Sequence, residues 1–290
     1  MDGSELLADR FQAHRSQLRA VAYRLLGSLS EADDAVQETW LRLDRADTRD
    51  VVNLGGWLTT VVGRVCLDML RARAARREVP LDTRLPDPVV SSVKAADPEH
   101  AALLADSVAW ALLVVLETLQ PAERIAFVLH DTFAVPFDEI AGIVGRSPAA
   151  TRQLASRARR RVRQATLDPD ADPGTQRQVV EAFLSAARRG DLDALVALLD
   201  PDVVVRADSG RPPVRLVRGS QVVAEKALVF SAVSAEARVA LVGGLAGIVA
   251  RAQGRPMTVM GFAVRKGRVV EMDILTDPVR LQRLEQEARP

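Results

Sequence analysis

Seven arginines and no acidic residue fall between residues 146 and 163, at Arg146, Arg152, Arg157, Arg159, Arg160, Arg161 and Arg163. A guanidinium is always charged and forks onto phosphates or base edges, so such a stretch suits a polyanion. A second set has the opposite sign. Residues 31–50 carry seven acids against three arginines, and Asp34, Glu38 and Leu41 share one side of a helical wheel there, with Gln37 at its edge. Two acids four residues apart repel by a few tenths of a kcal/mol, so local helix stability does not explain Asp34 and Glu38. An outward leucine between them suits the docking of a basic protein helix. A third set, Arg64, Arg71, Arg73, Arg76 and Arg77, places five arginines against Asp68 alone, more than a helix C-terminus needs. The net charge is only +1, yet the signs are segregated rather than mixed, which points to two partners of opposite charge.

These sets need helices to hold them. In "VPFDEIAGIVGRSPAATRQLASRARRRVR" Pro136 suits a first helical position, with Phe137, Ile140, Ala141 and Val144 as the apolar face. Gly145 suits a left-handed helix end, and Ser147 with Pro148 starts the next helix. There Ala150, Leu154, Ala158 and Val162 are expected as the buried stripe, with Arg152, Ser156, Arg159 and Arg163 opposite and Gln153, Arg157 and Arg160 alongside. Two short helices around a glycine turn, the second cationic, predict a helix-turn-helix on DNA: early residues at base edges, later arginines at phosphates. An ordinary helical hairpin with a solvated basic face is the alternative. "GSLSEADDAVQETWLRL" predicts a helix capped by Ser30 and Asp33, with Ala32, Val36, Trp40 and Leu43 buried. "GGWLTTVVGRVCLDMLRARAARRE" predicts another, with Leu58, Val61, Val62, Val65 and Met69 on its apolar face. The lone Cys66 lies among apolar residues and reads as a small buried hydrophobe. With one cysteine there is no intramolecular disulfide and no multi-cysteine zinc site.

The order "DDAVQETWLRL", "GGWLTTVVGRVCLDMLRARAARR" and "LQPAERIAFVLHDTFAVPFDEIAGIVGRSPAATRQLASRARRRV" resembles extracytoplasmic-function sigma factors over about residues 8–165. The resemblance implies that Asp34, Gln37, Glu38 and Leu41 bind the β′ coiled coil of core RNA polymerase, with the β subunit as a further contact. It implies that the helix carrying Trp57, Arg64, Arg71, Arg73, Arg76 and Arg77 opens and reads the −10 promoter element. Many members carry asparagine where this chain has Arg64. The helix with Ser147, Arg152, Gln153, Ser156, Arg157, Arg159, Arg160 and Arg163 corresponds to the −35 reader.

The rest is too long to be a tail. "GTQRQVVEAFLSAARRGDLDALVALLDPDVVVRADSG" predicts two helices and a strand, and later apolar runs predict several antiparallel strands, an α+β domain. "AFLSAARRGDLDALVALLDPDVVV" resembles SnoaL-like members of the NTF2-like cone fold, found in a SigJ-like subgroup of these sigma factors. That subgroup implies regulatory contacts at Leu85, Pro86, Asp87 and Pro88 in "RLPDP", at Asp208, and at Asp277, Pro278, Arg280 and Leu281 in "DPVRL".

The expected fold class is therefore multidomain: two all-α sigma domains, then an α+β NTF2-like (SnoaL-like) cone. The expected boundaries are a region 2 helical bundle over 1–77, an extended linker over 78–104, and a region 4 helix-turn-helix over 105–166. A short linker over 167–174 and the cone over 175–290 complete the chain. No apolar run approaches the ~20 residues that span a bilayer, and no signal peptide is seen, so the cytoplasm is the expected location. Asp193, Asp202, Asp208 and Asp273 could serve as bases in the cone, yet from residue 174 onward there is no His, Cys, Tyr or Trp to assist them. The reading is a sigma factor regulated in cis by its cone, with no enzyme activity, cofactor or metal, and with room for a small ligand. A free-standing repressor leaves the acidic face idle, and a DNA-tethered enzyme lacks catalytic side chains.

Overall fold

The computed structural model describes residues 3–46, 51, 53–75, 84–91, 110–165, 172–233, 236–252 and 255–287. The chain forms two compact units, Met1–Val79 with Val115–Ala165, and Pro80–Val114 with Thr166–Pro290.

The first unit is helical. Its opening helices are α1 (Gly3–Leu26), α2 (Leu29–Asp44) and α3 (Leu54–Ala75). There follow α4 (Trp110–Glu117), whose first five residues belong to the second unit, then α5 (Pro121–Phe127), a π-helical turn Val128–Thr132, α6 (Phe137–Val144) and α7 (Pro148–Ala165). Gly27 ends α1 in the left-handed region at φ 68°, where a side chain would be strained. Ser28, not Ser30, then caps α2 by accepting the Glu31 amide at 3.5 Å. Ser30 lies inside the helix, and Asp33 accepts from Arg19 at 2.7 Å instead of closing a capping box. Pro136 is the N-cap of α6 rather than its first residue, and Gly145 ends that helix with φ 69°.

The helices expected as two separate sigma domains pack into this one unit. Gly63 makes the approach: a Cβ there would lie 3.1 Å from Ile143 and 3.3 Å from Leu129, so α3 comes close to α6. Arg124, on α5, is buried and donates to the Leu25 carbonyl at 3.0 Å and to Glu117 at 2.9 Å. A buried guanidinium is tolerated only with such partners, so this contact ties the last turn of α1 to the helix-turn-helix portion.

The second unit is built on a seven-stranded sheet. Its strands are β1 (Val90–Ser91), β2 (Leu199–Asp208), β3 (Arg215–Arg218), β4 (Arg238–Val242), β5 (Leu245–Ala252), β6 (Arg255–Arg265) and β7 (Arg268–Leu275), in the order β1-β4-β5-β6-β7-β2-β3. All neighbours are antiparallel, as expected of several of the strands, except β2 and β7, which run parallel. The helices are α8 (Pro173–Arg189), α9 (Leu192–Leu198), α10 (Ser220–Val233) and α11 (Pro278–Glu287); the last two are not anticipated by the sequence pattern. Asp172 caps α8 through the Gly174 and Thr175 amides. The core joins α8 to the sheet, with Phe183 and Phe262 edge-on at 5.4 Å between ring centres.

The expected linker over 78–104 is described only at 84–91. There Leu85 to Val89 are buried, and Val90–Ser91 adds to the edge of the sheet beside β4, so this stretch is packed rather than free.

Candidate functional site

The acidic face is present on α2. Leu29, Ala32, Ala35, Val36, Thr39 and Leu43 turn inward, which leaves Asp34 and Gln37 exposed and Leu41 38% exposed. Trp40 is half-buried, its ring 5.1 Å from that of Phe11. Glu38 is half-buried and accepts from Arg42 at 2.9 Å, one turn on. The face therefore offers Asp34 as its unhindered acid, with Glu38 shared.

The second arginine set divides. Arg64 and Arg71 are exposed on α3, and Arg64 reaches the Gly142 carbonyl at 3.4 Å. Trp57 is half-buried. Arg73 pairs with Glu31 and donates to the Leu26 carbonyl at 3.1 Å, so it holds α3 to α1 and α2 rather than standing ready for DNA. Arg76 and Arg77 lie outside the described residues.

On α7 the buried stripe is Thr151, Ala155, Ala158 and Val162, with Ala150 and Leu154 only half-buried. Ser147 caps the helix by accepting the Ala150 amide at 3.2 Å. Arg152, Gln153, Ser156, Arg157, Arg160 and Arg163 are exposed, and Arg152 also lies over the Phe137 ring at 5.7 Å. Arg159 differs from its expected role. It is held by both carboxylate oxygens of Asp131 at 2.7–3.0 Å, and that hydrogen bond, against a small cost of burial, raises its pKa above the usual guanidinium range. Arg161 likewise donates to the buried Glu123 at 2.9 Å. Both tie the helix to its own domain.

The residues from "RLPDP" and "DPVRL" meet in the second unit. Arg280 is buried and donates to three acceptors: Asp87 at 2.5 Å, Asp208 at 2.7 Å and the Leu85 carbonyl at 2.7 Å. Asp208 also accepts the Leu85 amide and the Gly210 amide, each at 2.8 Å. Asp277 caps α11 by accepting the Val279 amide at 2.9 Å and the Arg280 amide at 3.3 Å, which aims Arg280 inward. Leu281 is buried beside it, whereas Pro278 is exposed at the helix start. Arg280 serves these acceptors from three separate nitrogens, Nε, Nη1 and Nη2, in one plane, whereas an ammonium gathers its three donors on a single atom. One further member is not among the residues expected from the sequence. Trp110 is buried, donates its indole N–H to the Pro86 carbonyl at 3.0 Å, and packs so closely that a Cβ at Gly261 would lie 2.5 Å from its ring. A tryptophan beside buried strands needs a partner for its N–H, which is the signal available. Behind it Arg206 holds Asp273 at 2.6 Å and Glu271 at 2.8 Å. Burial opposes the charge on Arg206, and the two carboxylates outweigh it and raise its pKa. Burial pushes the Asp273 carboxyl up, and Arg206 pulls it only part of the way back.

Residues 10–76 match the sigma-70 region 2 family and residues 109–162 the sigma-70 region 4 family. The chain is 50% identical over 215 residues to the ECF RNA polymerase sigma factor SigJ of Mycobacterium tuberculosis, covering 72% of this chain and 68% of that protein. It is 35% identical over 278 residues to a probable ECF RNA polymerase sigma factor, SigI, of the same species, covering 96% and 95%. The chain belongs to the extracytoplasmic-function sigma factors of RNA polymerase. The crystal structure of M. tuberculosis SigJ resembles this sigma factor with a TM-score of 0.75 and 39% identity, covering 95% of this chain and 98% of the other. Sigma factors of this family direct promoter-specific transcription initiation by RNA polymerase and are initiation factors rather than enzymes. This one carries an NTF2-like domain after its helix-turn-helix, and no described helix is long and apolar enough to cross a membrane.

Proposed function

We propose that this sigma factor is controlled in cis by its C-terminal domain, which acts by holding the linker between the two sigma regions. The observation that carries the reading is the buried bridge from Arg280 to Asp87, Asp208 and the Leu85 carbonyl. It fixes the linker to the NTF2-like sheet, and β1 extends the hold by two residues of pairing with β4.

The packing of the helical unit supports a resting state. The −10 and −35 elements lie about 25 base pairs apart, or about 85 Å at 3.4 Å per pair. A compact unit of about 130 residues has a radius of gyration near 14 Å, so its halves must part to reach both elements. The contacts to be broken are Arg124 with the Leu25 carbonyl, Arg64 with Gly142, and Gly63 against Ile143 and Leu129. In this reading Asp34, Gln37, Glu38 and Leu41 meet the β′ coiled coil. Trp57, Arg64 and Arg71 act at the −10 element. Arg152, Gln153 and Ser156 read the −35 element while Arg157, Arg160 and Arg163 contact phosphates. Arg73 and Arg159 position their helices.

Run-off transcription with core polymerase tests the control. Arg280→Met should release the linker and change both core affinity and promoter output relative to the wild-type chain. Unchanged core binding and unchanged transcription, with the linker demonstrably released, would leave the C-terminal domain without a regulatory role.

A further inference from the structure

The NTF2-like domain encloses a cavity of about 260 Å³ between α8, α10 and one face of the sheet. Its walls are apolar, with Phe183, Phe230, Met260 and Met272 prominent. The cations on its lining are Arg188, Arg215 and Lys226, and none of the described residues that line it is acidic. Arg188 donates to the Ala237 carbonyl. Among the described residues no carboxylate pairs with Arg215 or Lys226, although acids are frequent elsewhere in the chain. Three carboxylates of the same sheet, Asp208, Glu271 and Asp273, are engaged by Arg280 and Arg206 instead. Alternation along β2 separates the two faces: Val205 and Ala207 line the cavity, while Arg206 and Asp208 do not.

We propose that this cavity is a binding site for a small carboxylate with an apolar body of about ten non-hydrogen atoms. Size sets the body. An apolar cavity of about 150 Å³ holds benzene, so on that scale 260 Å³ takes about ten non-hydrogen atoms. Charge sets the head group. Arg215 and Lys226 are exposed residues that also line the cavity, a position in which long stems can cover apolar surface and cationic heads meet an anion. A cation in this position would meet only like charge. A neutral ligand would use the walls and leave the heads idle. Methionines in the wall accommodate irregular or flexible chains, which fits an acyl tail.

Isothermal titration of the full chain with sodium octanoate tests this, with octanol and octylamine as neutral and cationic probes of similar length. Octanoate should bind at least ten-fold more tightly than either. Lys226→Met, which keeps the stem and removes the charge, should weaken octanoate about ten-fold and leave octanol unchanged. Ala227→Phe, placed in the wall on the partly exposed face of α10, should abolish binding of all three probes. Equal affinities for the three probes would overturn the anion assignment. Undiminished octanoate binding by a folded Ala227→Phe protein, or no binding by the wild type at millimolar octanoate, would overturn the site.

Discussion

Replacing Arg280 with methionine removes the shared counter-charge of two buried carboxylates; Asp87 keeps the longer contact to Arg84 at 3.4 Å, so the loss falls hardest on Asp208. Their side chains are only 8% exposed for Asp87 and 2% for Asp208, and Arg280 itself is 7% exposed. Breaking a buried ion pair by deleting one partner costs about 3–5 kcal/mol, because the remaining charge is stranded. At 1.4 kcal/mol per ten-fold, that is roughly a hundred- to several thousand-fold shift toward an undocked linker. The direct report is hydrogen exchange at the Leu85 amide, whose acceptor is Asp208. Its protection should fall by at least a hundred-fold in Arg280→Met, while amides of α1 and α3 keep theirs. Arg280→Lys should fall between, since it keeps the charge but its donors sit on one atom, while Asp87, Asp208 and the Leu85 carbonyl are spaced for three guanidinium nitrogens. Adding Asp87→Asn and Asp208→Asn to Arg280→Met should restore part of the loss, because the buried negative charges leave as well. Protection within three-fold of wild type in a folded Arg280→Met protein would refute the reasoning, since the bridge would then hold nothing.

Asp34→Arg with Glu38→Arg should abolish binding to core polymerase in a pull-down; Glu38→Arg also sets a like charge against Arg42, which costs α2 a few tenths of a kcal/mol and should leave its circular dichroism unchanged. Arg152→Ala should cost about 1–3 kcal/mol on the one promoter base it reads and relax discrimination there in a binding assay across base substitutions. Arg160→Ala should weaken all promoters alike and reduce the salt slope by about 0.9, as one lost phosphate contact does. Cys66 is fully buried, and burial pushes its thiol pKa up, so it should resist thiol reagents in the native protein at pH 8 and react at once in denaturant.

The parts of the site read most easily in the sequence are those that depend on one helix. Gly145, Ser147 and Pro148 announce the turn into α7, and the exposed Asp34, Gln37 and Leu41 follow from which residues of α2 are apolar. The stripe on α7 is shifted for a geometric reason. Steps of four residues drift by about 40° each on a helix of 3.6 residues per turn, so a strict every-four pattern leaves the core. Mixing threes and fours keeps Thr151, Ala155, Ala158 and Val162 in line. The cap of α2 was available in Ser28 and Glu31, three residues apart after a glycine, a better match to the capping signal than Ser30 and Asp33. What no local pattern holds is the choice of distant partners. Arg159 finds Asp131 across 28 positions and Arg73 finds Glu31 across 42, so each has a carboxylate partner within its own unit. Arg280 and Asp87 are separated by 193 positions, and only the family resemblance brought their two segments under suspicion together.

That last separation also sets a clock. Asp87 is synthesised 193 residues before Arg280. At about 5–20 residues per second, the ribosome takes roughly 10–40 s to make the residues between them. The second sigma region is complete only at Ala165, so for the last 115 residues of that interval, roughly 6–23 s, both sigma regions exist as nascent chain while the helix that locks their linker has not been made. A newborn molecule therefore passes through an unlocked period that a mature one does not, and any event that stalls translation late in the message lengthens it.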